Sequence, residues 1–253
     1  MAGEYDVVVQ AVRVPGSGYV ELVLESPELA QAVPGQFVHV LTPGTLRRPI
    51  SFSRISAATA TAAILFQVVG AGTAWLAGVA AGQTVNVLGP LGHGFPVPEP
   101  GRAWCVVGGG VGIPPLFAAV QRWGGQVAAS AILGARTAAG LVMVEDFAER
   151  GTALTLTTDD GSRGEAGTVL GPFKRWLRAH PDGQVYACGP TPMLAGIAAA
   201  TRGHRAFLAL EQRMGCGIGA CLACVVPVHG PSGPRYARVC SEGPVFAAER
   251  LAW

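Results

Sequence analysis

Over its first hundred residues the chain places apolar side chains in short, β-rich runs. Residues 6–13, 19–24, 36–41, 63–69 and 83–88 carry most of its early valine, isoleucine and leucine, and turn signals such as Pro15-Gly-Ser-Gly18 and Pro34-Gly35 stand between them. Short runs at this spacing predict strands of a small antiparallel barrel. Residues 96–100, Pro-Val-Pro-Glu-Pro, break the pattern and mark the predicted end of that unit.

The period then changes. Residues 103–107 form an apolar run without alternation, as expected for a parallel strand buried on both faces. Further strands are predicted over 126–133, 153–158 and 184–188. Helices are predicted from Pro114 to about Trp123 and over 144–150, 171–180 and 191–200. Strand–helix alternation of this kind predicts a doubly wound α/β domain with a parallel sheet. A cysteine-bearing segment follows from about Ala206. The predicted organisation is a β-barrel over 1–100, an α/β domain over 101–205 and a small third segment over 206–253, which suits a chain of 253 residues.

Composition narrows the function classes. Half of the residues are hydrophobic and 13% are charged, so a core is easily built, and a net charge of +2 gives no reason to expect nucleic acid. No apolar run reaches the ~18 residues of a membrane span. The first ten residues lack a basic stretch followed by an apolar one, so a cytoplasmic location is expected, where disulfides are disfavoured. A mean hydropathy of +0.39 fits either apolar surface covered by a partner subunit or an alanine-rich composition.

The cysteines change the picture most. Cys216, Cys221 and Cys224 follow C-x4-C-x2-C, and Cys240 lies fifteen residues beyond. This is the spacing with which plant-type ferredoxins hold a [2Fe-2S] cluster on four thiolates. Gly215, Gly217 and Gly219 interleave the ligands, where a tightly wrapped loop needs positive φ and close backbone approach to sulfur. The competing reading is a structural zinc site, although zinc modules more often present two short C-x2-C knuckles. Cys105 and Cys188 show no ligand spacing.

Four further motifs carry candidate chemistry. Gly108-Gly-Gly-Val-Gly112 joins a strand to a helix, where free backbone N–H groups can meet phosphate oxygens; Gly108, Gly109, Gly110 and Gly112 are the candidates. Ile113 replaces the third glycine of G-x-G-x-x-G, and no carboxylate stands in residues 130–136, so a strict Rossmann site is disfavoured. Cys188-Gly189-Pro190 ends a later strand, the edge at which open α/β sheets bind ligands. In the barrel, Arg48-Pro49-Ile50-Ser51 offers a guanidinium fork and a hydroxyl, and Gly72-Thr73 a backbone N–H and a second hydroxyl. No acid–base dyad is evident.

Taken in order, Arg-Pro-x-Ser, Gly-x-Gly-Thr, the glycine-rich turn and Cys-Gly-Pro-x-Pro-Met resemble the ferredoxin reductase superfamily. The block from Glu211 to Val226, with Arg238-Val-Cys-Ser-Glu-Gly-Pro-Val-Phe246, is similar to the electron-transfer subunits of class 1B dihydroorotate dehydrogenase. The resemblance covers nearly the whole chain. It implies a barrel binding FAD through Arg48, Pro49, Ile50, Ser51, Leu65, Phe66, Gln67, Gly72 and Thr73. It implies an α/β domain binding NAD through the glycine-rich turn, Arg136, Cys188, Gly189 and Pro190, and a [2Fe-2S] cluster on Cys216, Cys221, Cys224 and Cys240. Many relatives carry arginine where this chain has Gln67, and Arg136 could favour a 2′-phosphate, so the preference for NAD over NADP follows from the resemblance alone. The implied partner is an FMN-containing catalytic subunit, in a heterotetramer of two plus two. Electrons from dihydroorotate would then reach NAD+ by way of the cluster and FAD in pyrimidine biosynthesis. Plant-type clusters lie near about −400 mV, low for that substrate, so a cluster potential raised by its surroundings is expected. Related reductase subunits of ferredoxin:NADP oxidoreductases, hydrogenases and sulfide dehydrogenases share these parts, and a zinc-stabilised nucleotide-binding subunit without redox chemistry is the reading of a different class.

Overall fold

The computed structural model describes residues 2–16, 18–44, 46–125, 129–230 and 233–253. Ser17 of the first predicted turn and residues 126–128 of one predicted strand lie outside the described residues.

The N-terminal strands are β1 (Gly3–Gly16), β2 (Tyr19–Glu25), β3 (Phe37–Val40), β4 (Arg48–Ser56), β5 (Thr61–Gln67) and β6 (Thr84–Leu91), with a short helix α1 (Ala71–Ala77) before the last. They close into an antiparallel barrel in the order β1-β2-β5-β4-β3-β6. Inward positions fill it: Val9, Leu22, Leu24, Val38, Val40, Phe52 and Ile64 are buried together. β4 and α1 are additions to the predicted set. In β4 a proline at the second position masks strand character, which edge and end positions tolerate. In α1 the glycines at 70 and 72 read as a turn, but the Thr73 hydroxyl accepts the N–H groups of Val69 (2.9 Å) and Gly70 (3.1 Å) and so caps the helix.

The second unit is built from β7 (Trp104–Gly109), α2 (Ile113–Trp123), β8 (Ala129–Ala135), α3 (Val144–Glu149), β9 (Ala153–Thr158), β10 (Glu165–Ala166), α4 (Leu170–Ala179), β11 (Gln184–Cys188), α5 (Thr191–Ala200) and β12 (Arg205–Ala209). These strands pair in parallel in the order β10-β9-β8-β7-β11-β12. The chain winds outward from β7 to one edge and returns to place β11 on its other side. That makes the β7–β11 boundary the topological switch point, where such sheets open a crevice at their carboxyl ends.

The last stretch forms a hairpin, β13 (Val225–Gly230) and β14 (Gly233–Arg238), a turn of helix α6 (Val239–Glu242), and β15 (Val245–Ala247). β15 adds antiparallel to β12 as the seventh strand of the sheet. Val226, Val228, Val239, Phe246 and Leu251 share one core with Val107, Phe173, Ile197 and Leu208 of the α/β unit. The opposite face of the sheet packs on α2 and α3 through Trp104, Val106, Phe117, Phe147 and Tyr186.

Barrel and sheet are joined by a polar contact. The Arg54 guanidinium donates to buried Glu21 (3.0 Å) and to Asp146 of α3 (2.8 Å), and lies 4.9 Å from the centre of the Phe117 ring. Beside it the Ile55 N–H donates to the Gln121 side chain of α2 at 2.9 Å. Among the described residues no helix is long and apolar enough to cross a membrane.

Candidate functional site

A cavity of about 410 Å³ opens between barrel and sheet, a size in the range of small-molecule sites. Its barrel wall is β4 and β5: Arg48, Pro49, Ile50, Ser51, Leu65, Phe66 and Gln67 line it, with Thr73 of α1. Gly72 lies just behind, where a Cβ would collide with the Arg48 guanidinium. All nine of the predicted barrel residues therefore gather at one place, although about 25 residues of sequence separate the first from the last.

The opposite wall comes from the switch point. In the sheet register Cys188 of β11 is level with Gly108 of β7, so the two turns that follow meet. Gly112 and Cys188-Gly189 line the cavity, and a Cβ at Gly112 would overlap the Cys188 carbonyl. That close approach requires glycine. Gly108, Gly109 and Gly110 stand behind the wall, with Gly110 at φ 54° in the turn. Ile113, in place of a third glycine, is fully buried and packs against Gly108. Pro190 lines an adjoining cavity of about 710 Å³, together with Gly189, Thr191, Arg213 and Trp253. Arg136 lines neither cavity. It lies exposed just beyond the end of β8, its carbonyl accepting the Asp160 N–H at 3.2 Å.

Several lining residues were not anticipated, and Glu211 is the charged one among them in the first cavity. Glu211 closes the floor of both cavities from the segment after β12, alongside Leu210 and Gln212. Burial, and then the Glu211 carboxylate, push the Cys188 thiol up to about 12, so Cys188 faces the site as a neutral thiol. The only sequence signal for Glu211 is that it opens the cysteine block.

The cysteine loop leaves this floor through Met214, itself a cavity residue. Cys224 and Cys240 are buried and Cys221 is exposed. Main-chain N–H groups point at the sulfurs: Ala220 (3.3 Å) and Cys221 (3.4 Å) at Cys216 Sγ, Cys216 at Cys221 Sγ (3.4 Å), and Cys240 at Cys224 Sγ (3.4 Å). Burial raises the Cys216 thiol, but donors from Ile218, Cys221 and Ala220 outweigh it and bring it down to about 6. Donors of this kind favour thiolate, the form that ligates metal. Gly217 and Gly219 adopt φ of 73° and 86° as expected, whereas Gly215 does not have positive φ; there a Cβ would sit 3.1 Å from Cys221 Sγ. The sulfurs lie as two adjacent pairs, Cys216 with Cys221 and Cys224 with Cys240. Among the described residues no three His, Cys, Asp or Glu side chains form a finished metal cage. The donor set nonetheless fits an iron–sulfur group: four thiols on one tight loop and its flanking helix turn, with backbone N–H groups already aimed at sulfur.

Residues 211–252 match the family described as the iron–sulfur cluster binding domain of dihydroorotate dehydrogenase B. Over 98% of both chains, the sequence is 42% identical to the dihydroorotate dehydrogenase B (NAD(+)) electron transfer subunit of Geobacillus kaustophilus. The chain belongs to this family of electron transfer subunits. Its counterpart in Desulforamulus reducens is 38% identical over the full length of both. Among solved structures, the NADH-dependent reduced ferredoxin-NADP oxidoreductase superposes with a TM-score of 0.85 at 28% identity, covering 100% of this chain and 92% of that one. Phthalate dioxygenase reductase, at 17% identity and a TM-score of 0.65, shares the fold. The family thus carries an iron–sulfur cluster binding domain on a flavin- and NAD-binding reductase fold, and as an electron transfer subunit it implies a catalytic partner.

Proposed function

We propose that this chain binds FAD in the cavity between barrel and sheet, a [2Fe-2S] cluster on Cys216, Cys221, Cys224 and Cys240, and NAD against the carboxyl ends of β7 and β11. In this reading it passes to NAD+ the two electrons that an FMN-containing catalytic partner removes from dihydroorotate, within a heterotetramer of two plus two. Dihydroorotate loses two electrons and two protons to become orotate; NAD+ takes up two electrons and one proton, and the second proton goes to solvent. Support comes from a single cavity whose walls are the barrel motif, the switch-point turns and the residues leading into the cysteine loop.

A bound flavin supplies exchange of electrons singly or in pairs, the chemistry needed between a one-electron cluster and a hydride acceptor. The chain's own residues position it. The Arg48 fork and the Gly72-Thr73 backbone suit a pyrophosphate, while Pro49, Ile50, Ser51, Leu65, Phe66 and Gln67 suit a ring system held edge-on by one hydroxyl and one amide. Gly112 and Gly189 leave two positions of the opposite wall as bare backbone, where a nicotinamide could approach. In this reading Pro190, with Gly108, Gly109 and Gly110 behind it, supports the nucleotide path, and Arg136, exposed and outside both cavities, is the candidate contact for the adenosine end. Cys188 keeps its proton, and Glu211 provides the nearest carboxylate.

The test is anaerobic mixing of this protein with the catalytic subunit from the same organism, followed by addition of dihydroorotate and NAD+. NADH formation only when both subunits are present is the expected result. No NADH, with dye reduction by NADH retained in this chain alone, would leave a reductase but remove the dihydroorotate assignment. Metal analysis separates the cluster from zinc, since two irons per chain are expected.

A further inference from the structure

His39 lies on β3, whose alternate residues face opposite ways. Val38 and Val40 point into the barrel core, and Phe37 and His39 point out of it. Across the strand pair Phe37 is opposite Ser51 and His39 opposite Pro49, so this outer face carries part of the cavity wall as well as His39. The Arg47 guanidinium ties the strand down by donating to the His39 carbonyl at 3.1 Å. The imidazole is fully buried; among the described residues neither ring nitrogen makes a well-formed hydrogen bond, and the backbone of Cys216 and of Arg47 lies close enough to interact with it. A buried, unsatisfied polar group costs about 1–3 kcal/mol and calls for an explanation.

The ring faces the cysteine loop. A Cβ at Gly217, between Cys216 and Ile218, would lie 2.5 Å from His39 Nδ1. The other positive-φ glycine of the loop is backed in the same way: a Cβ at Gly219 would lie 2.7 Å from Ser241 Oγ, which is buried and, among the described residues, without a hydrogen-bond partner. The loop therefore rests on two buried polar groups without well-formed hydrogen bonds, one from the barrel and one from the turn that carries Cys240. Hydrogen bonds and burial around the sulfurs are the protein's means of setting an iron–sulfur potential.

We propose that His39 is a positioning residue that seats the Cys216–Cys221 loop against the flavin-binding barrel and raises the potential of the cluster held there, with Ser241 giving parallel support at Gly219. This rests on the assignment of a [2Fe-2S] cluster to the four cysteines. An imidazole N–H directed at the loop stabilises the extra negative charge of the reduced state. It also fixes the loop to the strand pair that forms the flavin wall, so the distance between the two redox sites is held by one side chain.

The experiment is a redox titration of the purified holoprotein complex at fixed pH. The cluster is followed by electron paramagnetic resonance and the flavin by absorbance. His39→Leu keeps the pocket filled and dry but removes the donor; His39→Gln restores one. In His39→Leu the cluster midpoint is expected to fall by the equivalent of about tenfold in the electron-transfer equilibrium, ~59 mV for one electron. His39→Gln should recover most of that shift, and the flavin midpoint should stay in place. An unchanged cluster midpoint in His39→Leu overturns the proposal, as does an equal shift in the Leu and Gln variants. Should His39→Leu fail to fold or to take up iron, His39→Gln and Ser241→Ala give the reading instead: a midpoint kept in the first and lowered in the second supports the proposal, and no change in Ser241→Ala refutes it. A wild-type protein without iron removes the cluster assignment, and this inference with it, and iron content tells the two failures apart.

Discussion

Gly112 shows how a single missing side chain decides a site. Its Cα approaches the Cys188 carbonyl so closely that alanine must push the β7 and β11 turns apart. Gly112→Ala should cost about 1–3 kcal/mol of overpacking and weaken nucleotide binding more than flavin binding, which separate NADH and FAD titrations would check. Two thiols with raised pKa, buried Cys105 and half-buried Cys188, give a pH prediction. Burial raises Cys105 above its ordinary value of 9.0, and burial, then Glu211, raise Cys188 to about 12. Between these limits the unfolded chain loses thiol protons that the folded chain retains. The stability from keeping them neutral is full below pH 9.0 and declines as pH rises toward about 12. Melting temperatures under reducing conditions should fall through that window, and Cys105→Ala should flatten the slope; a slope unaltered by the substitution would refute the attribution. At this scale the sequence was informative where chemistry is tied to spacing. Cys216, Cys221, Cys224 and Cys240 stand out by their spacing, because ligand number and loop length limit the alternatives, and the fold sets the four on one loop and its flanking helix turn. Glu211 and His39 could not, because a lone carboxylate or imidazole acquires a role only from what folding places beside it.

Elements were legible where the apolar period was clean. The strand–helix alternation after residue 103 reads correctly because buried parallel strands and amphipathic helices differ in period. β4 and α1 escaped because their signals conflict: Pro49 and Arg54 within a strand, Gly70 and Gly72 at a helix start. Arg54 in particular looks like a surface charge. Folded, it joins β4 to Glu21 of β2, to Asp146 of α3 and to the Phe117 ring of α2. Glu21 is 2% exposed and also accepts from Ser53 (2.8 Å) and Arg13 (3.1 Å). Arg54→Ala leaves that carboxylate short of a charged donor and should destabilise the protein by about 1.5–3 kcal/mol in urea unfolding. Adding Glu21→Gln should recover part of the loss, because the stranded charge is then removed. If the double variant is no better than the single one, the loss comes from the Phe117 contact instead.

At the scale of the whole molecule, the cysteine segment is structural core as well as the proposed carrier of the cluster. β15 completes the sheet beside β12, Leu251 bridges to Val228, and Val226, Val239, Cys240 and Phe246 fill the face of the sheet that α4 and α5 leave open. Sequence order placed this segment last, as a small third unit, since nothing in a linear reading shows that a strand near residue 246 returns to one near 207. Two perturbations that look similar on paper should therefore differ sharply. Cys221→Ser alters an exposed thiol outside the core, and on the proposed cluster assignment should abolish the iron signal and dihydroorotate-dependent NADH formation while NADH-dependent dye reduction and the melting temperature of the rest survive. Ending the chain after Leu210 strips apolar cover from Leu208, Ile197 and Phe173 and removes Glu211 from the cavity floor. At about 25 cal/mol per Å² of apolar surface returned to water, several side chains of that size exceed the net stability of a typical domain, so aggregation is expected rather than a minimal reductase. A soluble truncated protein that still reduces dye would mean that the barrel and parallel sheet hold together without the seventh strand, and would return the segment to the status of a detachable module.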